Sequence, residues 1–524
     1  MRADAARRIA KGLHDMTTAT LKPLLMAERP LQDDVPPPHL VQPIKAERLA
    51  SLDIFRGMTI AAMLLVNNPA GWGEKFQYAP LRHADWHGWT MTDLVFPFFL
   101  FIVGVAIPFS SAKRSAMETM TRGQMLVGVW TRALSLILLG LLLNGFPTPG
   151  DALPKGFTML AVLRVVAQVF VWVAFVVLLF PWRWRRVGVI IPLAVALVFA
   201  ILYWAILLAN RQALAAGLPE SFNFGGGILT PWRMRFPGVL QRIGVCYGVA
   251  ATIALFFGWR MILASAVVVM SLYTALMLGV SYDGGKRGSL AMEDNFARHV
   301  DETVFGWSEA GRNHNYRNYP DNEGLVSTLP AIGSVLLGIL VGLRLRSDRP
   351  ASERGASVLA WGVAVTCIGV LLSWWLMPIN KVIWTPSFTV FTAGLAMLGL
   401  GAVYYVADIR GRRAWALPFR IYGMNAILAF VLAGLLGRVL PQIRFTHPRL
   451  PGTMTTPLEF LKSEIAYGMH QAAAWLGEVG TRLGVSFPPL DAPQNVSLAY
   501  ALTFVLIILI PLTVLYFCRV FVKV

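Results

Sequence analysis

Residues 81–104 read LRHADWHGWTMTDLVFPFFLFIVG, a polar run that leads straight into an apolar stretch. The run holds two histidines, His83 and His87, with Asp93 at the seam. An imidazole titrates near neutrality, so a histidine fixed at such a boundary suits a general base or an acyl acceptor. His83 and His87 are spaced i, i+4, which on a helix would offer two metal ligands. Pro80, Gly88 and the aromatic residues favour a loop instead, and no third ligand accompanies the pair, so no metal is expected. Asp93 has three open roles: orienting His83, pairing with Arg242, or capping the helix that begins beside it. Trp72, Trp86 and Trp89 are either interfacial anchors or the wall of a sugar site.

The elements that must position these residues are membrane helices. Of the 524 residues 56% are hydrophobic and only 14% charged, and the mean hydropathy is +0.58. That is too little charge to cover a soluble protein of this size. Apolar runs of about 20 residues recur along the chain, and backbone groups in lipid must pair internally, so each run reads as a helix. The expected fold is all-α, a polytopic membrane helix bundle of about 12 transmembrane helices. They fall near 54–70, 91–112, 125–146, 157–180, 187–209, 237–257, 261–281, 325–343, 357–377, 385–407, 421–440 and 497–518. Residues 1–50 form a tail and 51–524 the transmembrane domain. The tail lacks the apolar core of a signal peptide. It is either a surface amphipathic helix (ARRIAKGLHDM) or a disordered leader.

The net charge of +18 would suggest a nucleic-acid partner in a soluble protein. Here the cations sit in short loops between apolar runs, so topology accounts for them and no nucleic acid is expected. KRSAMETMTR, WRWRR, RLRSDRPASER, DIRGRRAWALPFR and RVFVKV then lie inside, with both termini cytoplasmic. Residues 71–90, 282–324 and 441–496 lie outside. The last loop contains LEFLKSEIAYGMHQAAAWLGEVGTRL, an amphipathic helix that either covers the site or meets a second subunit in a homodimer. Cys246, Cys367 and Cys518 lie in apolar runs and read as ordinary small buried residues. VLRVVAQVF…FPWR (162–183) and VLQRIGVCY…FGWR (239–260) resemble each other. Either the hairpin of spans 4–5 is repeated as spans 6–7, or two apolar helices are alike by chance.

Polar side chains inside spans are costly, which makes them the first place to seek function. The topology sorts them into two clusters. Near the outer face lie Asn67, Asn68, His83, His87, Asp93, Gln241, Arg242, Asn380 and Lys381. Near the inner face lie Asp53, Arg56, Arg132 and Asn425. A cationic inner mouth suits an anionic cytosolic ligand such as a phosphate-bearing cofactor. A histidine-centred outer site suits proton transfer.

Six motifs occur in order: LDIFRGMTIAAMLLVNN, RHADWHGWTMTDLVFPFFLFIVGVAIPFS, PGVLQRIGVCY, DNEGLVSTLPAIGSVLLGILVG, PINKVIWTPSF and PFRIYGMNAIL. Together they resemble the heparan-α-glucosaminide N-acetyltransferase family, over roughly residues 48–440. The resemblance implies an enzyme of the cell inner membrane that takes acetyl-CoA, its co-substrate, from the cytosol and acetylates a glucosamine-type amine on the periplasmic side. The family's catalytic histidine lies in a His-x-x-Trp-x-Gly stretch, which matches His83 and not His87. Its functional asparagine matches Asn67, and Asp93 completes the expected catalytic set. Arg56, Arg132, Asn425, Gln241 and Arg242 are the expected acetyl-CoA ligands. Asn68, Trp86, Asn380 and Lys381 are expected to face the amino-sugar or glycan acceptor. Acetyl-CoA is too large and too charged to cross lipid, so a buried passage is expected to carry the pantetheine arm from the basic inner mouth to His83. This chain adds the hairpin of spans 4–5 and has a longer loop before His83, which leaves the acceptor open. A secondary transporter for amino sugars and an O-acetyltransferase of an envelope polysaccharide are the alternative readings.

Overall fold

The computed structural model describes residues 49–117, 121–144, 236–305 and 322–522, with a few isolated residues between 174 and 201. The expected spans 4 and 5, the proposed hairpin repeat and the N-terminal tail lie outside the described residues. Among the described residues nine helices are long and apolar enough to cross a membrane, and one bent pair of helices passes the same test when its two halves are taken together. Each of the other ten expected runs has its counterpart here. The straight crossings are α1 (Ala50–Asn67), α2 (Val95–Met117), α3 (Arg122–Asn144), α4 (Val239–Phe256) and α5 (Trp259–Gly279). After a short α6 (Phe296–Phe305) come α7 (Thr328–Leu345), α8 (Ala351–Trp375) and α9 (Pro386–Tyr404).

The expected straight helix over 421–440 is instead α10 (Leu417–Met424) and α11 (Ala426–Val439), bent by 71° at Asn425. A break inside a membrane is tolerated where the freed backbone groups find partners. Here Asn425 N donates to Tyr422 O (3.2 Å) and Asn425 O accepts from Ala429 N (2.9 Å), while the side chain bonds another segment: Nδ2 donates to Val520 O (3.2 Å) and Oδ1 accepts from Val522 N (2.8 Å). The chain after the last crossing is thereby bonded to the break.

A two-stranded hairpin, β1 (Phe445–Thr446) with β2 (Met454–Thr455), precedes the 27-residue α12 (Pro457–Leu483). α12 starts on a capping box of Thr456 and Glu459, in which side chain and backbone satisfy each other's first-turn donors. It covers the expected amphipathic segment and packs along α13 (Pro493–Phe517), the last crossing.

α1, α4, α7 and α9 are largely buried and form the centre, whereas α5, α8 and α13 present mostly apolar, exposed faces. Lipid offers little hydrophobic drive for helix association, so close backbone packing carries much of it. α2 and α7 cross at glycines: a Cβ on Gly104 would stand 2.1 Å from Val335 O, and one on Gly338 2.2 Å from Phe101 O. α1 is capped from a distance, since the Asp408 carboxylate accepts from Ala50 N (3.1 Å) and Ser51 N (3.0 Å). A carboxylate there complements the positive end of the helix dipole.

Candidate active site

Three loop segments meet at one end of the bundle: 82–94 before α2, 322–327 before α7, and 376–385 between α8 and α9. Gly88 N donates to Ile379 O (2.8 Å), which joins the first to the third. Arg242, buried on α4, donates to Gly324 O (3.0 Å) and to Ser327 Oγ, which holds the second.

Asp93 lies in a 3₁₀ turn, Thr92–Leu94, that runs into α2, and its side chain is 1% exposed. Oδ2 accepts from Ala84 N (3.1 Å) and Thr90 N (3.0 Å). Oδ1 faces His83 Nδ1 at 2.7 Å. Two backbone donors thus orient the carboxylate, and its second oxygen fixes the ring. Of the three roles open for Asp93, the contact formed is the one with His83.

Lys381 Nζ lies 3.4 Å from Asp93 Oδ1, and 3.0 and 3.4 Å from Nδ1 and Nε2 of His83. The two ring nitrogens flank one carbon, Cε1, so these distances put the ammonium beside that side of the imidazole. An ionised carboxylate can only accept, so Nδ1–H is the donor to Asp93, and Nε2 is left with the lone pair a general base needs. The His83 side chain is 43% exposed. The imidazole therefore stands at an open rim, and its partner Asp93 is buried beside it. Burial lowers the pKa of Lys381, while Asp93 and Glu323 act to raise it.

Asn380 is wholly buried. Its Oδ1 accepts from Ile383 N (3.1 Å), and its Nδ2 is 3.4 Å from His87 Nδ1. Burial lowers the pKa of His87, which favours the neutral ring that accepts from this amide. His83 and His87 thus turn to different partners, and among the described residues no three His, Cys, Asp or Glu side chains gather as a metal site would require. Trp86 Nε1 donates to Leu290 O (2.9 Å), so it ties the 82–94 segment to the 282–305 loop. Asn67 is exposed at the end of α1, and Asn68 closes that helix by donating to Leu64 O (2.7 Å).

The residues expected to hold the acetyl donor are spread along the bundle. Gln241 Nε2 donates to Phe236 O (3.1 Å) at the entry to α4. Arg56 lies between Asp53 (3.6 Å) and Gly423 O (3.5 Å). Arg132 covers the Tyr247 ring at 5.0 Å. It is ten residues into α3, about 15 Å from the helix start at 1.5 Å per residue, so it stands within the span and not at the mouth. Asn425 is occupied by the chain end.

Sequence reasoning missed Glu323, Ser327 and Trp384, although each falls in a motif quoted above. Trp384 is fully buried, with Phe96 and Phe388 edge-on at 5.3 Å each and the Arg242 guanidinium 5.1 Å from its ring. Its φ of 53° is rare for a bulky side chain and costs about 1–3 kcal/mol. The turn that presents Lys381 is built on this residue, since Trp384 N donates to Lys381 O (3.2 Å).

Residues 48–144, which include Asn67, His83 and Asp93, match the domain of unknown function DUF5009. The chain is similar to the heparan-alpha-glucosaminide N-acetyltransferase of Homo sapiens, 25% identical over 456 residues. That alignment covers 77% of this chain and 55% of the human protein. The enzyme of the same name from Mus musculus is 24% identical over 441 residues, 74% of this chain and 53% of the relative. The chain thus spans about half the length of the curated relatives it matches. The family resemblance read from the six motifs is upheld by similarity along three quarters of the chain.

Proposed function

We propose that this protein is a transmembrane acetyltransferase of the inner membrane. It moves the acetyl group of cytosolic acetyl-CoA to the amine of a glucosamine-type amino sugar on the periplasmic side. The observation that carries the reading is the His83–Asp93 pair, 2.7 Å apart, at the mouth of α2. It lies in the region where the chain resembles relatives named as N-acetyltransferases.

The chemistry follows from the tautomer. The acceptor amine nitrogen attacks the thioester carbonyl carbon while His83 Nε2 takes the amine proton. The C–S bond then breaks, and the sulfur receives that proton from Nε2. The products are the acetamide and the CoA thiol, and His83 returns to its starting state. Asp93 holds Nδ1–H and stabilises the imidazolium between the two transfers. A second route forms acetyl-His83 first and passes the acetyl group to the amine. Asn67, exposed at the end of α1, is the donor to the thioester oxygen as charge builds there; one such donor is worth about 3–4 kcal/mol. Asn68, Trp86, Asn380 and Lys381 stand on the acceptor side. Arg56 and the basic loops at the other end attract the phosphates of the donor, with Arg132 deeper in the span.

Purified protein mixed with acetyl-CoA and glucosamine tests this. CoA release that depends on acceptor and is lost in His83→Ala supports the enzyme. Glucosamine uptake by proteoliposomes without acetyl-CoA, with no CoA release in either variant, would replace it with a carrier. Acetyl-CoA supplied to one face of oriented proteoliposomes and glucosamine to the other tests the sidedness. Labelled acetyl trapped on His83 separates the two routes.

A further inference from the structure

Between the end of α11, the start of α12 and the middle of α13 the fold leaves a cavity of about 410 Å³. Leu436, Leu440, Leu458, Leu461, Phe504 and Ile507 form most of its wall. The one charged group on it, Glu464, is paired with Arg449 at 2.9 Å. The volume falls in the range of small-molecule sites, roughly 300–1,000 Å³. Water gains nothing from an apolar wall, so the filling that suits this space is hydrocarbon.

Two observations say whose hydrocarbon it is. First, α13 is long and apolar enough to cross a membrane and α11 is the apolar half of a bent pair, so the wall is built from helices suited to lipid. Second, the wall is bonded to the strand that leads to the catalytic histidine. Lys462, next to Leu461, donates to Ala70 O, and Ala70 N donates to Ser497 Oγ (3.1 Å) on α13. Ala70 lies three residues after Asn67 and begins the segment that runs to His83. Through Ala70 and Ser497, in the first turns of α13, the cavity's wall is linked to the segment that runs to the His83–Asp93 pair.

We infer that this cavity holds the hydrocarbon chain of a lipid-anchored amino sugar, so that the acceptor reaches His83 from the membrane. The inference rests on the acetyltransferase reading and names its acceptor class. Burying one methylene is worth about 0.8 kcal/mol, close to fourfold in affinity. Detergent or bilayer competes for the chain, so a gain of about tenfold or more is expected for a decyl chain.

The test compares glucosamine with decyl glucosaminide on the full-length protein in nanodiscs. The expected result is a kcat/KM about tenfold or more higher for the decyl compound. Leu461→Trp and Leu436→Trp, which fill the cavity, should remove that gain and keep turnover of free glucosamine, which also shows that they fold. Equal kcat/KM for both acceptors, or a gain that survives both substitutions, would overturn the inference. A separate arm needs no turnover: native mass spectrometry of retained decyl glucosaminide in wild type and Leu461→Trp. Retention lost in the variant supports the site. No retention, or equal retention of a decyl-chain phospholipid, overturns it. Absence of CoA release with every acceptor, beside specific retention, would sink the acetyltransferase reading and leave the cavity assignment standing.

Discussion

Gly57 on α1 and Gly423 on α10 lie backbone to backbone: a Cβ on the first would stand 1.7 Å from Phe419 O, and one on the second 1.8 Å from Asp53 O. Two of the recurring motifs, FRGMT and IYGMN, are thereby two faces of one contact. Overpacking a tight site costs about 1–3 kcal/mol when side chains can yield, and here the obstacle is backbone. Gly57→Ala and Gly423→Ala should each lower the thermal midpoint by several degrees and reduce the yield of monodisperse protein in detergent. A midpoint within one degree of wild type for either would refute the contact.

Asp93→Asn keeps the shape of the carboxylate and removes its charge. The amide can present its NH₂ to Nδ1 and reverse the tautomer of His83. We expect acceptor-dependent CoA release to fall by about 10²–10⁴-fold, the usual range for a disabled proton-transfer group. Binding of CoA, measured by calorimetry, should change less than twofold. A variant within fivefold of wild-type turnover would remove Asp93 from the mechanism.

Lys381 gives a pH signature. As pH rises the ammonium loses its proton, and the cation beside Asp93 and His83 disappears. Burial places that loss below the ordinary lysine value of 10.5, so activity should decline on an alkaline limb that begins earlier than an exposed lysine would produce. Arginine stays charged throughout this range. In Lys381→Arg the limb should therefore move upward or vanish, with a lower plateau from the changed geometry. The same limb in both proteins would assign it to another group.

Trp86→Phe removes the indole donor from Leu290 O. One neutral hydrogen bond contributes about 1 kcal/mol. Hydrogen exchange in residues 282–305 should speed up several-fold while α2 and α7 stay protected. Unchanged exchange would mean that the packing of Trp86 and Leu290 against the cluster around Tyr273 and Met277 is enough to hold the loop.

The membrane helices were legible because lipid imposes one rule, about 20 apolar residues with every backbone group paired within the segment. The break at Asn425 escaped that rule. Hydropathy runs smoothly across PFRIYGMNAILAF, and the partners of the Asn425 side chain at the bend lie about a hundred residues later in the chain. The same holds at the candidate site. His83 and Asp93 stand ten residues apart, and spacing alone left three roles for the carboxylate. The choice is made by Ala84 N and Thr90 N, which aim it. Lys381 and Asn380 fell in the outer cluster by depth, but their contacts with His83 and His87 depend on a turn stabilised by a buried tryptophan with positive φ. Gln241 and Arg242 looked like ligand-binding groups because they are polar and stand at the start of a span near the outer face. The structure gives them protein partners, which is the commoner way for such groups to be satisfied.

The attachment of Val520 and Val522 to Asn425 has a practical consequence for anyone handling the protein. A purification handle or reporter fused behind residue 522 pulls on the two bonds that close the kinked crossing. Placed ahead of residue 49, the same handle leaves that knot alone. Comparing the two fusions for heat resistance would show how much of the bundle's cohesion is stored in its last few residues.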